Sequence, residues 1–485
     1  MIARDRTAIR RNDLSRPIRT ALSDGIISAD IDLLDYGCGH GDDIRYLEQA
    51  GINAFGWDPA HRPDGPRRRA SIVNLGYVVN VIEDAAERAD CVRSAWNFTG
   101  GKLILAARLK SDLVLKDFEI LDDGYVTRLQ TFQKFFEQQE LREWIQEVLG
   151  ETPVAAAPGI FYIFRDPNER EQFVASRYRS QITAPRIRIS DKLFEGHQTQ
   201  LQELISFVTE RGRLPEQQEI GTGQELISIF GSMPRAFQII RRVTGREQWE
   251  QIAKERRTDL LVYLALGRFP RRPKFSALPR DLQNDIRSFF KSYKAAASAG
   301  DALLFEAGNM KRVNCACAEA EFGKLMPSAL YVHVTGMNKL TPVLRVYEGC
   351  ARVLSGEVAG TTIVKLRRDE PKISYLGYPT FDIDAHPSIE FSVRIDLRSF
   401  NIKNRQFKDS SNPPVLHRKE LFVPSDYPNR ALFEALTEAE ISHGLLDDSN
   451  TIGLKEQWNE SVRRKGWKLI GHELIPINRI EPQST

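Results

Sequence analysis

The chain has 485 residues, of which 41% are hydrophobic and 27% charged, and its net charge is +3. That length accommodates about two to four domains with cores of their own. No apolar run approaches the roughly 20 residues needed to span a bilayer, and five cysteines are too few for a disulfide framework. The basic stretch 1–19 has no apolar core and does not read as a secretory signal, so a reducing, cytoplasmic setting is expected.

The first unit, 1–166, alternates strand and helix signals. Ser15-Arg16-Pro17 opens a short helix that Asp24-Gly25 ends, and a strand follows at 31–34. Next comes Leu33-Leu34-Asp35-Tyr36-Gly37-Cys38-Gly39-His40-Gly41-Asp42-Asp43, with glycine at every second position of a turn into a helix that closes near Gly51. Further strands are predicted at 55–57, 72–75, 102–107 and 160–164, with helices ending at Trp96 and spanning 140–149. This order predicts a doubly wound, mostly parallel, Rossmann-like sheet. The segment between Asp58 and Ile72 is too polar and proline-rich for the usual third strand.

From 167 to 300 the pattern is helical, with Leu201, Leu204, Ile205 and Val208 at helix spacing and turn signals at Gly212, Gly231, Gly245 and Pro270 to Pro273. Between 177 and 300, basic residues outnumber acidic ones by 22 to 13, a local charge of +9 that leaves −6 for the rest. Such segregation predicts a phosphate-rich partner. The remainder, 301–485, reads as mixed α+β: strand-rich to about Pro424, then helices and a short tail beyond Tyr427.

The glycine turn narrows the chemistry. A backbone turning sharply beside a ligand needs residues without Cβ, here Gly37, Gly39 and Gly41. Asp58, at the end of the second strand, stands where a carboxylate accepts from both ribose hydroxyls of an adenosyl ligand. A dinucleotide fingerprint needs a third glycine at position 42, where Asp42 stands. A cationic, phosphate-free ligand therefore fits better than NAD, and the segment resembles the first motif of class I S-adenosylmethionine (SAM) methyltransferases. Asp35 is expected to order the turn through backbone amides or a water. Asp64 is a candidate for the adenine ring.

Asn74-Leu75-Gly76-Tyr77 falls at another strand end. Amino-methylating enzymes of that class place Asn or Asp, two prolines and an aromatic here; this chain keeps Asn74 and Tyr77 as candidate catalytic residues and lacks both prolines. The plainer reading is a strand end and a packed ring. Arg241, Arg242, Arg271, Arg272 and Lys274, near Trp249, Tyr263 and Phe269, are candidate nucleic-acid contacts, as are His417 and Arg418 after Asn412-Pro413-Pro414. The aromatics fall among leucines at helical spacing and read as core. Asp369-Glu370-Pro371-Lys372 superficially resembles the acid-x-lysine of some nucleases, and Arg67-Arg68-Arg69 fits a phosphate backbone or a solvated loop. Cys315 and Cys317 form a lone C-x-C without a second pair, so buried free thiols are expected rather than a metal site.

With Gly56-Trp57-Asp58-Pro59, 74–84 and Tyr347-Glu348-Gly349-Cys350-Ala351 added to the turn, the chain resembles the bacterial family of DNA phosphorothioation-associated methyltransferases over most of its length. The resemblance implies a class I SAM fold and a tie to DNA sulfur modification and antiviral defence; DNA and proteins of such a system are the expected partners, and the hydropathy pattern gives no expectation of a membrane. Two functions stay open: a SAM-dependent methyltransferase acting on nucleic acid, most plausibly DNA, or a SAM-binding recognition and assembly subunit of a DNA modification or defence complex.

Overall fold

The computed structural model describes residues 2, 4–112, 119–187, 191–269, 271–448 and 452–477, so Pro270 of the expected turn lies outside the described residues. In the N-terminal part, α1 (Arg16–Ser23) precedes β1 (Leu33–Tyr36), followed by α2 (Asp42–Gln49), β2 (Ala54–Trp57), β3 (Ala70–Gly76), α3 (Ala85–Phe98) and β4 (Thr99–Ala106). A small antiparallel sheet, β5 (Glu119–Leu121), β6 (Gly124–Val126) and β7 (Phe132–Gln133), leads to α4 (Gln138–Leu149), β8 (Val154–Ala157) and β9 (Ile160–Phe164). The main sheet has the order β2-β1-β3-β4-β9-β8, with β1 to β4 parallel and β9 running against both of its neighbours.

Both faces of this sheet are covered, which is why its strands read as near-continuous apolar runs. Leu34, Val73, Leu103 and Phe161 pack in one core with Val92 and Ala95 of α3 and Leu141 and Ile145 of α4. Their neighbours Leu33, Ile72, Ile104 and Tyr162 are equally buried, as are Ile18 and Ala21 of α1, which packs against β3 and β4. The sheet is doubly wound, as expected. The missing third strand leaves β2 at the edge. There Arg67 lies over the Trp57 ring at 4.5 Å and Arg68 over the Phe55 ring at 4.0 Å, so the arginine run covers the edge strand.

The helical region comprises α5 (Pro167–Ser176), α6 (Lys192–Gly196), α7 (Gln198–Arg211), α8 (Gly223–Phe230), α9 (Met233–Thr244), α10 (Glu247–Leu266), α11 (Arg280–Phe289) and α12 (Tyr293–Gly308). Leu201, Leu204, Ile205, Val208 and Trp249 share its core. By contacts the chain forms two compact units: Pro167–Asn309 with Pro342–Val346, and all the rest.

After α13 (Met310–Ala318), a six-stranded antiparallel sheet runs in sequence order: β10 (Lys324–Met326), β11 (Ala329–His333), β12 (Ile363–Arg367), β13 (Lys372–Gly377), β14 (Phe391–Asp396) and β15 (Asn401–Gln406), with α14 (Pro342–Ser355) between β11 and β12. Then come α15 (Arg430–Ser442), α16 (Lys455–Arg464) and a hairpin of β16 (Trp467–Ile470) and β17 (Glu473–Pro476). The expectation of helices and a tail beyond Tyr427 misses this hairpin. Its strands are short and of mixed polarity, and the left-handed Gly471 (φ 57°) is the one local turn signal. Among the described residues no helix is long and apolar enough to cross a membrane.

Candidate functional site

In a parallel sheet all the carboxyl ends meet at one edge, and here that edge gathers Asp35, Asn74, Asp58 and the glycine turn. Asp35 pairs in register with Gly56 on β2 and Asn74 on β3. The Gly37 and Cys38 amides donate to the Trp57 carbonyl at 2.8 and 3.1 Å, tying the turn to β2. Gly37, Gly39 and Gly41 all take positive φ, at 84°, 52° and 78°. At Gly37 space is also decisive, since a Cβ there would lie 2.4 Å from Val78 Cγ2, whereas one on Gly41 would meet only the movable end of Arg62. Gly37 thus serves packing against the segment after β3 as well as backbone conformation.

Asp58 is half-buried at the end of β2. Its Oδ2 accepts from the Gly39 amide at 3.0 Å, and its Oδ1 from the Ala60 and His61 amides at 2.9 Å each. The turn is therefore ordered by Asp58, and the expected amide contacts of Asp35 go instead to a side chain. Asp35, 4% exposed, accepts from Asn74 Nδ2 at 2.7 Å. Burial, reinforced by the Asp43 carboxylate, pushes the Asp35 carboxyl up to about 7, and the Asn74 hydrogen bond acts the other way. Asn74 is itself buried, and its Oδ1 has no partner. Tyr77 follows β3 in a left-handed conformation (φ 63°), held by its amide on the Ala106 carbonyl at 2.8 Å. A β-carbon there is strained, and such backbone positions cluster at functional sites. Burial raises the Tyr77 phenol above its ordinary range. Asp64 is exposed.

Sequence reasoning missed what Asp42 and Asp43 do. Both are buried at the start of α2, where carboxylates suit the helix dipole. Asp42 accepts from the Arg11 amide at 2.8 Å and Asp43 from the Ser15 amide at 2.6 Å, with the Arg11 guanidinium 3.3 Å from Asp43. These bonds hold the N-terminal segment against the turn, where Ala8 Cβ comes within 3.1 Å of a Cβ built on Gly39. Paired acids opening a helix were the one local signal, and they do not mark which segment they hold.

The candidate nucleic-acid residues fall into three groups. Arg271 and Lys274 are exposed, as are Arg268 and Phe269 just before them in the chain, and Arg418 is exposed in the other unit. Arg241 lies 3.7 Å from Glu250, and Arg242 3.1 Å from Asp191. Arg272 requires correction: its guanidinium donates to the Leu264 carbonyl and to Asp301 at 2.8 Å, fastening the end of α10. His417 requires another, because it is 4% exposed and cannot meet a phosphate. Trp249 and Tyr263 are core, as expected, whereas Phe269 is 46% exposed. In the acid-x-lysine segment Lys372 pairs with Glu370, and Arg367 with Asp369 and Glu370, a surface ion cluster. Cys317 is buried and Cys315 exposed, both as free thiols.

No family model matches the chain, and no curated protein does. Among solved structures it is similar to the 1,6-didemethyltoxoflavin-N1-methyltransferase of Burkholderia thailandensis with bound 1,6-didemethyltoxoflavin and S-adenosylhomocysteine (14% identity, 31% of this chain and 79% of that one, TM-score 0.23). Others are the sugar N-methyltransferase KedS8 from Streptoalloteichus sp ATCC 53650 (15%, 33% and 96%, 0.23) and SAM-bound CalS10, an amino pentose methyltransferase from Micromonospora echinaspora (16%, 32% and 100%, 0.22). At these TM-scores the likeness carries no argument, and the α/β fold rests on the strand order and directions given above.

Proposed function

We propose that the N-terminal sheet binds SAM and that the chain is a SAM-dependent methyltransferase acting on nucleic acid, most plausibly DNA, in a DNA modification or defence setting. The observation that carries the reading is the linked pair at the sheet edge: a turn of three left-handed glycines and the Asp58 carboxylate bonded to its central amide. Two acids, one of them buried, suit a ligand bearing a sulfonium and an ammonium better than a pyrophosphate. Asp35 and Asp58 would hold the ligand, with Gly37, Gly39 and Gly41 admitting it close to the main chain. A carboxylate has about four acceptor sites, and three backbone amides occupy Asp58. Holding both ribose hydroxyls therefore requires at least one of these amides to yield. The bound sulfonium supplies an already activated methyl group, so the chain's own part is proximity and orientation. Tyr77 stands at the strand end where an acceptor would enter. The exposed Arg271 and Lys274, in a region with a +9 excess, support a nucleic-acid substrate.

The second reading, a SAM-binding recognition or assembly subunit, draws on Asn74. Its amide already donates to Asp35, and the prolines that would aim backbone carbonyls are missing. Calorimetry with SAM on the intact chain and on Asp58→Ala, each checked for folding by circular dichroism, tests the cofactor: binding by wild type and loss in the variant are expected. Equal binding by both, or by neither, overturns it. Tritiated-methyl transfer to DNA, RNA and protein then separates enzyme from subunit, since SAM binding without transfer leaves only the second.

A further inference from the structure

Among the described residues, the densest group of unsatisfied buried polar atoms lies in the C-terminal part. The segment 387–389 pairs with 414–416: the Leu416 amide donates to the Pro387 carbonyl at 3.0 Å and the Ile389 amide to the Pro414 carbonyl at 2.9 Å. That short ladder sets His386 and His417 side by side, with ring centroids 4.4 Å apart. Asn412 anchors the approach by accepting from the Glu456 amide at the start of α16 and donating to Gln457, so the Asn-Pro-Pro loop is a brace for His417. Glu440 on α15 completes the group, its Oε1 2.9 Å from His386 Nε2.

All three side chains are more than nine-tenths buried. Yet His386 Nδ1, both nitrogens of His417, Glu440 Oε2 and the Trp458 indole nitrogen lack hydrogen-bond partners, and Glu440 Oε1 has only its 2.9 Å contact with His386 Nε2. Native proteins rarely leave that many buried polar atoms unmet at one place. Burial keeps both imidazoles neutral, pushing His386 down to about 3 and His417 down to about 2, and it pushes Glu440 up to about 8. Neutral imidazole is the metal-binding form, whereas the Glu440 carboxyl must give up its proton when an ion binds. The nearby Lys419 ammonium is satisfied elsewhere, by the Phe381 and Asp384 carbonyls at 2.7 and 2.6 Å and by His472.

We propose that His386, His417 and Glu440 form a binding site for a divalent transition-metal ion of the zinc class, with a fourth position open to water. Two imidazoles and one carboxylate are a recurrent three-ligand set for such ions, and an open position distinguishes it from closed structural sites. One candidate ligand atom from each residue lies within 4.8 Å of the others. Ligands about 2.1 Å from a tetrahedral ion sit roughly 3.4 Å apart, so an ion would part the 2.9 Å His386–Glu440 contact slightly and draw together the wider pairs, which lie within 4.8 Å. The Trp458 ring is tilted against His386 and edge-on to His417, with centroids 4.7 and 4.5 Å away, and its unpartnered indole N–H is the donor available to a water at the fourth position.

The test uses the full chain, stripped with a chelator and titrated with Zn2+ and with Co2+ as a spectroscopic probe. One equivalent bound, visible d–d bands of four- or five-coordinate Co2+ without a thiolate charge-transfer band, and a chelator-reversible rise in melting temperature are expected. His417→Ala and Glu440→Gln should each lose the bands. A folded wild-type chain that binds no metal, a thiolate band pointing to Cys315, or variants that bind as wild type would overturn the proposal. Should a variant fail to fold, the wild-type Co2+ spectrum and the chelator effect decide alone.

Discussion

The two large sheets of this chain place polar groups in opposite ways. The parallel strands β1 to β4 turn their carboxyl ends to one edge, so Asp35, Asp58 and Asn74 meet there by topology, each within a few residues of a strand end. The antiparallel sheet has no such edge. Its polar cluster is assembled by connections and helices that cross one another, with His386 from the link between β13 and β14, His417 from the loop after β15 and Glu440 from α15. The first kind of site is written as contiguous motifs; the second has no sequence signature.

The contrast is sharpest where backbone and packing act together. Gly37→Val would add a strained positive φ and a clash with Val78, and should destabilise the chain by about 3 kcal/mol. In urea unfolding, adding Val78→Ala should restore the packing part and leave the backbone part. Full restoration would show that φ at Gly37 costs nothing.

In the helical unit Arg272→Ala should cost about 1–3 kcal/mol, because the Leu264 carbonyl and Asp301 lose their donor. It should leave the salt dependence of DNA binding unchanged. Arg271→Ala with Lys274→Ala should do the reverse, holding stability while lowering the logarithmic salt slope by about 1.8 on duplex DNA or about 1.4 on single strands. A slope that moves with Arg272 alone would reverse this assignment.

Asp35 gives a pH test. Its folded-state pKa, about 7, lies above the carboxylate value of 3.8, so the native chain holds a proton that the unfolded chain has released between those limits. Stability should therefore fall as pH rises from about 4 to about 7, and Asp35→Asn should flatten that part of the profile. Where a cationic cofactor selects the ionised carboxyl, SAM affinity should drop by up to about tenfold per pH unit below 7. Calorimetry in buffers of different ionisation enthalpy should detect the released proton. The smallest effect is expected at exposed Asp64, whose replacement by alanine should leave SAM affinity within about twofold; a larger loss would return it to the adenine site.

Strand positions near the glycine turn were legible because burial on both faces of a parallel sheet forces apolar runs, and because positive φ at a ligand-facing turn forces glycine. The absent third strand was legible from composition, but its replacement was not: stacking of Arg67 and Arg68 on the β2 aromatics depends on chain reversal at 58–69. Ordering of the turn falls to Asp58 rather than Asp35, because sequence shows which acid ends a strand but not whose amide it reaches. Arg272 and His417 were misread for a related reason: residue type carries charge and donor count, whereas burial is decided by what packs on top.

By itself the sequence determined the α/β class, the strand that turns through glycine, the acid at the end of β2 and the excess charge of the helical region. These follow from local periodicity, steric limits on φ and counting. Only the tertiary structure decided which carboxylate orders the turn, that Asp42 and Asp43 clamp the N-terminal segment, and that His386, His417 and Glu440 share one buried site. Such pairings join residues up to 54 positions apart in the chain. They are set by the packing of whole elements, for which no single stretch of sequence carries the information.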